Sequence, residues 1–104
     1  MSLAYAIDEL YASGWTPLDT AGCSRAADGR WYPTPARVTD EFARAGSDLA
    51  VRHAQLFECF RATWTGPGGA GAVVGQTEAE TSIYALAHLR RAGVGLQRAH
   101  AVTA

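Results

Sequence analysis

A chain of 104 residues and 11.0 kDa holds one core, because a second would need roughly 50 residues of its own. With 48% hydrophobic and 18% charged residues it groups with globular rather than disordered proteins. Nine arginines, no lysine and ten acids leave a net charge of −1, which excludes the broad basic field of a typical nucleic-acid binder.

The first predicted element is a helix over 2–13. Ser2 is placed to cap it, Leu3, Ile7, Leu10 and Tyr11 recur at helical spacing, and Asp8 and Glu9 take the opposite side. Gly14 suits the left-handed position that ends a helix, and Trp15 after it is placed to fold back onto Leu10. From Trp15 to Thr34 the helical period is lost. Asp28-Gly29 marks a hairpin of type I′, whose two central residues need positive φ, between short strands at 23–27 and 30–32. Trp15, Trp31 and Tyr32 in this segment are expected to lid the core.

A second helix starts at Thr34-Pro35, with Thr as cap and Pro where no hydrogen bond is lost. Val38, Phe42 and Ala45 form its apolar stripe. Arg37 with Glu41 and Asp40 with Arg44 stand four apart on the wet side, and Gly46 ends it.

Residues 48–65 read as strand, longer than the usual five to ten or so, so a bend or turn is expected near His53–Gln55. No Gly or Asn marks the break, and two strands or one bent strand both remain open. Leu56, Phe60 and Trp64 fall on one face with Glu58 and Ala62, and Phe57, Cys59, Arg61 and Thr63 on the other. A small domain has too few layers to hide an apolar face on each side of such a ribbon. The glycine-rich run 66–71 is a turn, and 72–75 returns as partner strand. The last helix is capped by Thr77, carries Glu78 and Glu80 in its first turn, buries Ala79, Ile83, Leu86, Ala87 and Leu89, and is closed by Gly93.

The fold class is therefore α+β: a small antiparallel sheet of about three strands with helices on one face, in the order α–hairpin loop–α–β–β–β–α. One domain spans 1–94, followed by a flexible tail over 95–104.

The order strand, strand, glycine-rich turn, strand, then the capped helix Gly75-x-Thr77-Glu78-Ala79-Glu80…Ala85-Leu86 resembles the second half of a double-stranded RNA-binding domain. The resemblance implies a three-stranded sheet with the final helix across one face and residues 2–13 as first helix. It does not carry the activity over. Glu78 and Ala79 stand where that family places phosphate-gripping lysines, and the stretch 15–46 is foreign to the pattern. The alanine- and arginine-rich, lysine-free composition is similar to that of small proteins from GC-rich bacteria.

Catalytic chemistry finds little footing. His53 and Cys59, on one face of a continuous strand, would lie roughly 20 Å apart. His88 with Tyr84 and Arg91 reads as a solvated face. Asp19, Thr20 and Cys23 form the one loop cluster where a thiol meets a carboxylate, leaving a small enzyme built on the 15–34 loop as an alternative. The 66–71 turn lacks the Gly-Lys-Ser/Thr ending of a phosphate cradle. Cys23 and Cys59 are expected reduced, and with His53 and His88 they show no metal-ligand spacing, so neither a metal nor a cofactor is expected.

The candidate binding residues are Trp31, Tyr32, Arg52, His53, Phe57, Arg61 and Trp64. Trp31, Trp64, Arg52 and Arg61 suggest a stacking platform for a planar group. The reading is a non-catalytic module of the bacterial cytoplasm that binds a protein or a small ligand and pairs with its own copy as a homodimer. RNA or single-stranded nucleic acid is the disfavoured partner. No membrane association is expected, since no apolar run approaches the roughly 20 residues of a span and the N-terminus lacks a signal layout.

Overall fold

The computed structural model describes residues 3–103, with side chains placed as far as Ala92. Helix α1 (Leu3–Ala12) buries Ala6, Ile7 and Leu10. It stops as its sequence predicts: Gly14, at φ 91°, donates to the Tyr11 carbonyl and Trp15 donates to that of Leu10. Trp15 and Leu10 share the core. The cap expected at Ser2 lies outside the described residues.

Strands β1 (Cys23–Arg25) and β2 (Trp31–Pro33) pair antiparallel as an isolated two-stranded sheet. The turn between them is not type I′. Gly29 has positive φ but Asp28 does not, and the bonds Ala26 N–H to Arg30 O and Gly29 N–H to Ala26 O close a three-residue loop with a glycine bulge. Asp28 instead accepts from the Arg30 backbone N–H at 3.0 Å, the side-chain-to-backbone bond that holds aspartate in turns.

Helix α2 (Pro35–Arg44) is capped by the Thr34 hydroxyl and buries Val38 and Phe42. It ends as Gly46 donates to Ala43 O and Ser47 to Phe42 O. Both anticipated ion pairs form, Arg37–Glu41 at 3.2 Å and Arg44–Asp40 at 3.0 Å.

The stretch 48–65 proves to be two strands, β3 (Asp48–Ala54) and the start of β4 (Cys59–Gly66), separated by a 3-10 turn at Gln55–Phe57. Glu58 turns the chain in the left-handed region at φ 48°. β5 (Gly69–Gly75) starts earlier than predicted, with Gly66 opposite Gly69 across the turn, and the sheet order is β3-β4-β5. The register aligns Leu49, Trp64 and Gly71 in one row and Val51, Ala62 and Val73 in the next, all on the face toward the helices. Gly71 has to lack a side chain, because a Cβ there would lie 2.2 Å from the Trp64 ring.

The expectation of an apolar face on both sides of the ribbon is overturned. The outward face of β4 carries Arg61, Thr63 and Thr65, all exposed. Leu56, expected on one face with Phe60 and Trp64, sits in the turn and is 86% exposed, and Phe57 beside it is 75% exposed. The turn takes both residues off the strand, so strand alternation no longer governs them.

Helix α3 (Glu78–Thr103) runs past Gly93, where the sequence predicts an end. A glycine stops a helix only where the chain turns left-handed; otherwise it costs about 1 kcal/mol and the helix continues. Its first turns are enclosed on more sides than one apolar stripe implies: Glu80, Thr81 and Ser82 are buried with Ile83, Ala85, Leu86 and Ala87, while Ala79 and Leu89 are half-buried. The sheet lies on one side of α3, and α1 and α2 lie on others. The statement that the helices share one sheet face is thus corrected: α2 and α3 meet the sheet, whereas α1 packs chiefly on α3. Among the described residues, no helix is long and apolar enough to cross a membrane.

Candidate functional site

The residues singled out in the sequence are dispersed. Trp31 lies on the small hairpin, its ring 5.6 Å from the Arg25 guanidinium and its carbonyl accepting from Tyr11 Oη at 2.7 Å. Tyr32 packs against the core and Trp15 lies within it, whereas Trp31, expected in the same lid, is not among the residues packed on the core. Arg52 and Arg61 face each other across β3 and β4 on the outward side of the sheet. Neither has an ion-pair partner among the described residues. Trp64 is on the opposite face, 7% exposed, with Phe42 at its edge (5.5 Å between centroids). The four residues of the expected stacking platform therefore do not meet, because the pleat sends Trp64 inward where it sends Arg61 outward. Phe57 projects from the β3–β4 turn.

His53 leans on Phe60 at 4.8 Å. The turn brings it next to Cys59 in the ladder, not 20 Å away, since His53 pairs with Phe60 and Ala54 with Cys59. Adjacent strand residues point to opposite faces, so imidazole and thiol are still kept apart. The trio His88, Tyr84 and Arg91 is divided. Tyr84 and Arg91 turn to α1, where Tyr84 meets Tyr5 and Arg91 pairs with Glu9, while His88 stands edge-on to Trp64 at 6.1 Å.

In the 15–34 loop, Asp19 accepts from the Ala21 N–H at 2.9 Å and Arg37 donates to the carbonyls of Asp19 and Ala21. The Cys23 sulfur is 3.5 Å from Arg37 Nη1. Burial pushes this thiol above its ordinary range against the opposing charge of Arg37, so at neutral pH it is a thiol and not a nucleophilic thiolate. A depression of about 550 Å³ runs along Asp19, Gly22, Arg37 and Asp40, without Cys23 in its lining. Both cysteines are free, and among the described residues no group of three His, Cys, Asp or Glu side chains converges on a metal position.

A better-formed cavity of about 500 Å³ lies elsewhere, between the end of α2, the β4–β5 turn and α3. Its lining includes Glu41, Ala45 and Ser47, then Trp64 and the backbone of residues 68–71, then Leu86, His88, Leu89, Arg90 and Ala92. Its position follows from local structure. The left-handed Gly46 turns the chain away at the end of α2, and residues 68–71 in and after the β4–β5 turn are glycine and alanine that bring no large side chain to fill the gap.

Two charged groups reach this cavity. Glu41 is held by Arg37 Nε at 3.2 Å and Trp15 Nε1 at 3.3 Å, both donating to Oε2. Arg90 passes close to Gly14, has a buried Nε without a hydrogen-bond partner, and makes no ion pair among the described residues. Of this lining the sequence reading singled out Trp64 as a binding residue. Arg90 carries no motif, and its special status arises from burial that no spacing encodes. Comparison with protein-family models, with curated proteins and with solved structures finds no match to this chain.

Proposed function

We propose that this domain is a non-catalytic small-ligand-binding module whose site is the cavity between α2, the β4–β5 turn and α3. The observation that carries the reading is a concave space of about 500 Å³ in which apolar walls converge with a few polar groups. Small-molecule sites typically have this size, roughly 300–1,000 Å³, and this make-up. The thiol state of Cys23 and the dispersal of His53, Cys59 and His88 favour binding over catalysis, and the free thiols favour a cytoplasmic setting.

Titration with indole, followed by amide chemical shifts, tests it. The amides of Trp64, residues 68–71 and Leu89 are expected to move, and Ala92→Trp, which fills the cavity from an exposed helix position, is expected to suppress the response. Shifts spread evenly over the chain, or unaltered in that variant, overturn the reading.

Self-association as a homodimer is a second reading, favoured by the exposed Leu56 and Phe57 at the β3–β4 turn. Sedimentation at high concentration is expected to give a dimer mass that the double change Leu56→Ser and Phe57→Ser returns to monomer. A monomer for the unaltered chain removes this reading. Nucleic-acid binding has thinner support, in Arg52 and Arg61 with Phe57 at the rim of the same sheet.

A further inference from the structure

We infer that the outward face of the three-stranded sheet docks on the same face of a second copy, with the strands of the two sheets running antiparallel. The inference rests on the self-association reading above and names its surface and symmetry. Helices α2 and α3 lie on the other side of this sheet, and the outward side carries its charges at two ends. Asp48 stands at one end, opposite Thr65. Four residues along β3, Arg52, Arg61 and Val74 align in one row across the strands, with Val74 53% exposed. The row between them is Ala50, Thr63 and Ala72, small side chains that let a second sheet approach.

Within one copy these charges are unsatisfied. Arg52 and Arg61 are directly opposite each other, an unfavourable placement for like charges in a ladder. Asp48 is roughly 13 Å from Arg52 along the strand, too far to pair with it. Among the described residues, none of the three makes an ion pair.

A second copy supplies the missing partners in one arrangement. A two-fold axis crossing the strands at the Ala50 row sets each strand on its own counterpart and exchanges the two ends of the face. Asp48 of each copy then lies over Arg52 of the other, with Arg61 one strand away. A two-fold axis along the strands leaves the ends in place and sets Arg61 on Arg61, so charge selects the first. The face measures roughly 15 by 25 Å from strand spacing and rise. That is smaller than the roughly 800 Å² per partner of a standard interface, so the dimer is expected to be weak.

Sedimentation of the unaltered chain up to about 1 mM, a range suited to weak pairs, is expected to show a dimer. Its dissociation constant should rise roughly fivefold or more between about 0.05 and 0.5 M salt, because exposed charges are screened. Asp48→Arg and Arg52→Asp, each alone, are expected to weaken the dimer about tenfold by opposing like charges. Mixed in equal amounts, the two variants are expected to form a heterodimer, since both cross-pairs are then Arg on Asp.

A monomer for the unaltered chain at every concentration overturns this inference and the self-association reading together. A dimer indifferent to salt and to both charge variants, yet broken by Leu56→Ser with Phe57→Ser, overturns the inference and leaves that reading standing. Failure of the two variants to pair when mixed, while each is folded, overturns the arrangement. A monomer that takes up an acidic peptide or an oligonucleotide through Arg61 assigns the face to another occupant and also overturns it. The salt dependence of the unaltered chain decides even if a variant does not fold.

Discussion

Tyr84 carries a hydroxyl that is buried without a hydrogen-bond partner, close to Glu80, which is 2% exposed and has one carboxylate oxygen similarly unpartnered. The other oxygen of Glu80 accepts from the Gln76 N–H at 3.0 Å, closing the cap of α3. Burial first, and then the charge of Glu80, push the Tyr84 phenol above its ordinary value. The folded chain therefore holds that proton more tightly than the unfolded chain. The resulting contribution to stability is complete below about pH 10, the unfolded value, and is lost as pH rises through the higher folded value. Tyr84→Phe deletes both the alkaline sensitivity and an unsatisfied hydroxyl. It is expected to leave stability at pH 7 unchanged or raised by up to about 1 kcal/mol, and to flatten the loss above pH 10, read by urea unfolding at both pH values. A loss at pH 7 would show that the hydroxyl has a partner. The same logic explains why the candidate cavity was scarcely legible in the sequence. Trp64 stands out by type, but Arg90 and Glu41 look like any helical surface charge until the fold shows which one is left unpaired.

At the scale of elements, caps and stops were the legible part: Gly14, Thr34-Pro35, Gly46 and Thr77 each act where their chemistry predicts. What stayed hidden was the reversal between β3 and β4, because Glu58 occupies a backbone region that usually announces itself as glycine or asparagine. The left-handed conformation costs an ordinary residue roughly 1–2 kcal/mol. Glycine avoids that cost but gives up more chain entropy, about 0.5–1 kcal/mol. Glu58→Gly is accordingly expected to raise stability by about 0.5–1 kcal/mol, seen as a higher urea midpoint with unchanged slope. An unchanged or lower midpoint would contradict the left-handed turn. The prediction of an end at Gly93 failed for the complementary reason: glycine permits the left-handed turn but does not impose it.

Over the whole molecule, both sheets pack on the core, and the small hairpin adds polar links that, among the described residues, the larger sheet lacks. The three-stranded sheet meets α2 and α3 through Phe42, Ala62, Trp64 and Ile83, all in the apolar core. The small hairpin packs Pro33, Cys23, Ala26 and Tyr32 against the body and adds polar links to it: Arg30 pairs with Asp8, its guanidinium lies 5.8 Å from the Tyr11 ring centroid, and Tyr11 bonds the Trp31 carbonyl. The α+β class and its small antiparallel sheets could be read from periodicity and turns. The role of Arg30 could not, because its partner Asp8 is 22 residues away and no local pattern joins them. Exposed ion pairs contribute little singly, so the hairpin is expected to open locally well before the core unfolds. Arg30→Ala should then speed hydrogen exchange at the Ala26 and Gly29 amides by roughly fivefold while Ala62 and Trp64 in β4 exchange at their former rate. If the β4 amides accelerate by the same factor, the hairpin opens only with the core and the two sheets are one cooperative unit. If neither set changes, Arg30 contributes nothing to docking, and the weight falls on Tyr11 and on the half-buried Tyr32 against the core.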